Sequence, residues 1–72
     1  MATPYNAALR ELRMKHKSAS TAHESCIQAL TEAKLRGEQP SAEMIEREAQ
    51  TLRAVNEARV TLLAAMAQFP GD

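Results

Sequence analysis

The chain has no tryptophan, one tyrosine (Tyr5), one phenylalanine (Phe69) and one cysteine (Cys26). A lone cysteine excludes an internal disulfide and fits a reducing compartment, so the usual reinforcements of a small core are missing. The only aspartate is Asp72, and there is no glycine-rich phosphate loop, no nucleophile elbow and no cysteine set beside a histidine and an asparagine. No catalytic residue is nominated, and the chain is expected not to be an enzyme and to need no cofactor. No apolar run approaches the roughly 18 residues of a membrane span, and no stretch resembles the apolar region of a secretory signal. Nine basic residues balance nine acidic ones. Global charge therefore makes no case for nucleic acid or an anionic membrane. The expected location is the cytoplasm.

Glycine and proline are almost as scarce. Between Tyr5 and Phe69 they occur only as Gly37 and Pro40, in the run Arg36-Gly37-Glu38-Gln39-Pro40-Ser41. Glycine accepts the left-handed conformation that closes a helix, Pro40 bars its predecessor from continuing one, and Ser41 can cap the next. On either side lie long stretches rich in Ala, Leu, Glu, Arg, Lys and Gln. The chain is thus predicted to be all-α, a single two-helix antiparallel hairpin. The helices are expected over about residues 4–36 and 41–68, with a turn at 37–40.

Thr3-Pro4 is a good start for the first helix, a hydroxyl cap followed by proline where no N–H is needed. One face collects Tyr5, Leu9, Leu12, His16, Ala19, His23, Cys26, Leu30 and Ala33 in alternating steps of three and four, the amphipathic period. The stripe is weak in its middle, where Ser18, Ser20 and Thr21 lower helix propensity. Thr21 and Glu24 match a capping box, so a second helix start there is the alternative to one continuous helix. In the second helix, Glu43, Glu46 and Glu48 crowd the positive end of the dipole. Its buried face is expected to be Ile45, Ala49, Leu52, Val55, Leu62, Met66 and Phe69, with Met44 and Leu63 on the margins. Folding about 37–40 pairs position i with roughly 77−i, which sets Cys26 near Leu52. The glutamates are expected on solvated surface. With about ten large apolar side chains against some sixty ordered residues, little net stability remains, and the hairpin should be weakly stable alone or an oligomer.

Residues 1–36 carry six bases against three acids, and residues 37–72 the reverse, which favours packing one helix on the other. Arg10, Arg13, Lys15 and Lys17 face an acid-free stretch, residues 60–67, across the hairpin and so stay unneutralised. They read as a solvated face or as contacts for an acidic surface or phosphates. His16, His23 and Cys26 are the only soft metal ligands, at spacings unlike the usual sites, and no metal is expected. Met14, Ile27, Leu35 and Val60 fall off the main stripe. Scattered exposed aliphatics are ordinary, yet these could anchor a partner. Because the first helix has surplus apolar residues, unpaired basic charge and the weaker seam, the partner-binding residues are expected to be Tyr5, Leu9, Arg10, Leu12, Arg13 and Met14.

The segment Ala33-Lys34-Leu35-Arg36-Gly37, two residues, Pro40, then a helix with Glu48-Ala49-Gln50-Thr51-Leu52 resembles the YscE-like co-chaperones of the type III secretion needle subunit. The likeness covers about residues 26–66. It implies a short cytoplasmic hairpin that binds a tetratricopeptide-like, helical-repeat protein chaperone through its first helix and helps hold the needle subunit before export. The basic cluster at residues 10–17 has no counterpart in that pattern. Needle subunits are also helical hairpins, but the Phe69-Pro70-Gly71-Asp72 tail differs from their apolar helical C-terminus. A homodimeric adaptor or regulator is the second reading, and a small nucleic-acid-binding hairpin the third.

Overall fold

The computed structural model describes residues 4–68, and their side chains from residue 7 onward. Two helices fill it: α1 runs Pro4–Leu35 and α2 runs Ala42–Gln68, packed antiparallel as a hairpin. Proline begins α1, as the sequence predicts. The expected Thr3 cap, Tyr5's place in the stripe and Phe69 lie outside the described side chains. α1 continues through residues 17–21 without a break. The Thr21 hydroxyl donates back to the Lys17 carbonyl at 3.0 Å, so it bonds within the helix and does not start a new one.

Both helix ends at the turn are closed by local chemistry. The Gly37 N–H donates to the Lys34 carbonyl and the Glu38 N–H to the Ala33 carbonyl, each at 2.9 Å. These are the paired bonds of a Schellman cap, with Gly37 at the left-handed position and φ of 78°. The Ser41 hydroxyl accepts the Met44 N–H at 3.1 Å and caps α2. A Cβ on Gly37 would meet nothing within 4 Å, so Gly37→Ala carries only the backbone cost of a left-handed residue, about 1–2 kcal/mol. The expected result is a lower denaturation midpoint with unchanged helix content in the native baseline.

The inner face of α1 is the one the sequence predicts. Leu9, Leu12, His16, Ala19, His23, Cys26 and Leu30 are half-buried and Ala33 is buried. α2 differs from expectation. Its half-buried residues include Met44, Glu48, Thr51, Val55, Ala58, Leu62 and Ala65, again in steps of four and three. Ile45, Leu52 and Met66 are exposed, and of the expected set only Ala49, Val55 and Leu62 turn inward. The seam is therefore set one position earlier on α2. Two features explain this. Thr51, Ala58 and Ala65 are small and let the helices approach closely, and Glu48 supplies a partner for His23. The level pairing is also shorter than 77−i. That holds at His23, which meets Glu48, while Cys26 shares a hollow with Met44 and also with Thr51, the position that 77−i gives.

The result is a rod of 53 × 19 × 16 Å. Its radius of gyration is 16.3 Å, against about 11 Å for a compact domain of this length. It exposes 5775 Å², where a compact monomer of 7.9 kDa would expose about 4,400 Å². Among the described residues only Ala33, at 4% exposure, is buried.

Candidate functional site: an uncovered apolar and basic face

In an antiparallel pair of helices, residues one position after the seam point to the same side on both. On α2 this second stripe is Ile45, Ala49, Leu52, Asn56, Arg59, Leu63 and Met66, spaced four and three like the seam itself. On α1 it contains Arg10, Arg13, Lys17, Glu24 and Ile27. The grouping is visible where Arg10, Arg13 and Met66 line one shallow hollow with Leu9 and Leu62. Ile27, Ile45, Leu52, Leu63 and Met66 are each 42–55% exposed. Single exposed aliphatics are ordinary, but these five share one side of the rod in two clusters, Ile27, Ile45 and Leu52 toward the turn and Leu63 and Met66 toward the open end, with Asn56 and Arg59 between them.

The opposite side alternates short side chains, such as Ala22, Ser25 and Ala29, with charged ones, such as Lys15, Glu43, Arg47 and Glu57. A hollow of about 480 Å³ on that side, open to solvent, is lined by Ala22, Ser25, Cys26, Ala29, Ser41, Glu43, Met44, Arg47 and Thr51. Among the described residues no three His, Cys, Asp or Glu side chains converge. Cys26 is a free, half-buried thiol in the seam.

Glu48 is an exception to the expected solvated glutamates. The His23 Nε2–H donates to its Oε2 at 2.8 Å, with both side chains about three-quarters buried. The pair fills the polar interruption in α1's stripe. The other ion pairs are at the surface: Lys15 with Glu11, Arg47 with Glu43, and Arg36 with Glu38. The hydrogen bond and charge of Glu38 push the Arg36 guanidinium's pKa still higher, so it stays charged throughout the accessible pH range. Arg10, Arg13, Lys17 and Arg59 pair with no acid among the described residues.

Charge is polarised along the rod. The turn half, residues 21–52, has Lys34, Arg36 and Arg47 against six glutamates, a net of −3. The open half, residues 4–20 and 53–68, has six bases against Glu11 and Glu57, a net of +4. The sequence-predicted partner residues divide among several surfaces. Leu9, Arg10 and Arg13 meet around the hollow with Leu62 and Met66. Leu12 is half-buried and lines a hollow on the other side with Lys15 and Ala58. Met14 is 64% exposed on the outer face of α1, away from the second helix. Ile27, Leu35 and Val60 are exposed, as their positions off the stripe predict. Ile45, Leu52 and Met66 were missed as surface residues because apolarity alone assigns them to the seam.

No helix among the described residues is long and apolar enough to cross a membrane. No protein-family model, curated protein or solved structure matches the chain.

Proposed function

We propose that this chain is a non-catalytic binding module that completes its hydrophobic core on another helical protein. The observation that carries the reading is the strip Ile27, Ile45, Leu52, Leu63 and Met66, left open beside a hairpin whose only buried residue among those described is Ala33. Covering such a strip removes apolar area from water at about 25 cal/mol per Å², while Arg10, Arg13 and Arg59 at its basic end select an acidic rim. The resemblance around residues 26–66 gives the finer reading. The chain acts in the cytoplasm as a type III secretion co-chaperone, pairing with a helical-repeat chaperone that holds the needle subunit before export. The concave surface of a helical-repeat protein suits a narrow rod with one apolar side.

Coexpression with such a chaperone and its needle subunit tests this. The expected product is a stoichiometric complex on size-exclusion chromatography, in which the hairpin melts at least 10 °C higher than alone. Separate elution of hairpin and chaperone at tens of micromolar would remove the co-chaperone role.

A further inference from the structure

We infer that the open face also binds a second copy of this chain, with the two rods reversed so that their turns lie at opposite ends. Charge supplies the orientation. Arg10, Arg13, Lys17 and Arg59 crowd the open end of this face, and Glu24 and Lys34 are its charged residues near the turn. Reversed rods therefore set the four bases away from their own images, in a region of the partner whose half carries a net −3, whereas a dimer with both turns at one end would set the bases together. The α2 stripe is self-complementary in the same sense. Paired antiparallel with its copy about Asn56, it sets Ile45 opposite Met66, Ala49 opposite Leu63 and Leu52 opposite Arg59, whose aliphatic stem can cover the leucine while its charge stays at the rim, with the two Asn56 amides facing each other. A polar asparagine amid apolar contacts is a device that fixes register in paired helices. A two-fold contact needs this symmetry, since each residue meets the image of its own counterpart. The area is sufficient: a side of 53 × 19 Å offers about 1,000 Å², where stable interfaces bury about 800 Å² per partner. The product is a four-helix bundle in which every neighbouring pair of helices is antiparallel. Because the dimer covers the strip assigned above to a heterologous partner, self-association and partner binding compete. The inference does not depend on that partner, since it rests on charge and self-complementarity alone.

The test is sedimentation equilibrium of the full chain from 5 to 500 µM, in 50 mM and 500 mM NaCl. The expected result is a monomer–dimer equilibrium whose dissociation constant rises several-fold at the higher salt. Leu63→Glu should leave the chain monomeric across the range with its helical circular dichroism retained. Arg10→Glu with Arg13→Glu should weaken the dimer at least tenfold at low salt, without touching the apolar strip. Orientation is read by a spin label at Lys34→Cys in a Cys26→Ser background. Reversed rods place the two labels about 45 Å apart from the helix rise, and like-ended rods place them within about 20 Å. A chain that stays monomeric at 500 µM in low salt overturns the inference. So does a dimer that tightens with salt, one that survives Leu63→Glu, or one with the short label distance. None of these outcomes bears on whether a chaperone binds.

Discussion

Ala33→Leu is expected to unfold most of the isolated hairpin at 25 °C, read as a loss of more than half of the helical circular dichroism signal. Ala33 is 4% exposed and sits in the last turn of α1, beside the connection to α2. Its own carbonyl accepts the Glu38 N–H that closes the Schellman cap. At 4% exposure three added carbons must displace the neighbours that cover the site, and overpacking costs about 1–3 kcal/mol. In a domain of a hundred residues that loss would be tolerable. Here the rest of the seam is half-buried, so the same loss is comparable with the stability of the whole chain. Ala33→Ser, close to isosteric, should retain the fold and thus separate volume from position. If Ala33→Leu melts like the parent chain, the two helices are not in close contact at the turn.

The second large effect is on binding. Leu52→Glu combined with Leu63→Glu should lower affinity for the proposed helical-repeat chaperone by at least thirtyfold, measured by titration calorimetry. Truncating a central anchor typically costs 2 kcal/mol or more, and placing carboxylates in the covered strip adds their desolvation. Both leucines lie outside the seam and are 42% and 45% exposed in the free chain, so the substitutions remove little seam packing and most of the helicity should be retained. Met14→Ala, on the outer face of α1, should change affinity less than twofold. That pair of outcomes discriminates between faces. A large effect of Met14→Ala with none from the double variant would put the contact on the outer face of the first helix, with Met14 as an anchor.

The contrast between the two helices shows what the residues reveal and what they leave open. The helix ends are legible because they are local. Pro4, Gly37, Pro40 and Ser41 each act on their own backbone, and α1 and α2 stop within a residue of the expected limits. The inner face of α1 is legible because only one stripe on it recurs at three and four. α2 carries two such stripes side by side, one led by Met44, Val55 and Leu62 and the other by Ile45, Leu52 and Met66. Hydrophobicity favours the second. The fold uses the first, because Thr51, Ala58 and Ala65 permit close packing and Glu48 reaches His23. That choice depends on the opposite helix, so α2's own residues do not contain it. It also creates the candidate site, since the larger aliphatics it leaves outside form the open strip. Arg10 and Arg13 were legible as unpaired charge from the lack of acids at residues 60–67. Their companionship with Met66 follows from the packing alone.

On the proposed function the hairpin's core is incomplete until a second helical surface covers its open face, which thermal unfolding of the chain tests most directly. Followed by far-UV circular dichroism at 5 µM and without a partner, the chain should melt broadly with a midpoint below about 45 °C, under the usual range for mesophilic domains. The midpoint should rise by at least 10 °C when the chain is concentrated a hundredfold or the chaperone is added, because whatever binds only the folded state stabilises it by mass action. A sharp transition above 65 °C, unchanged by concentration or by the chaperone, would show a hairpin complete in itself and contradict the account.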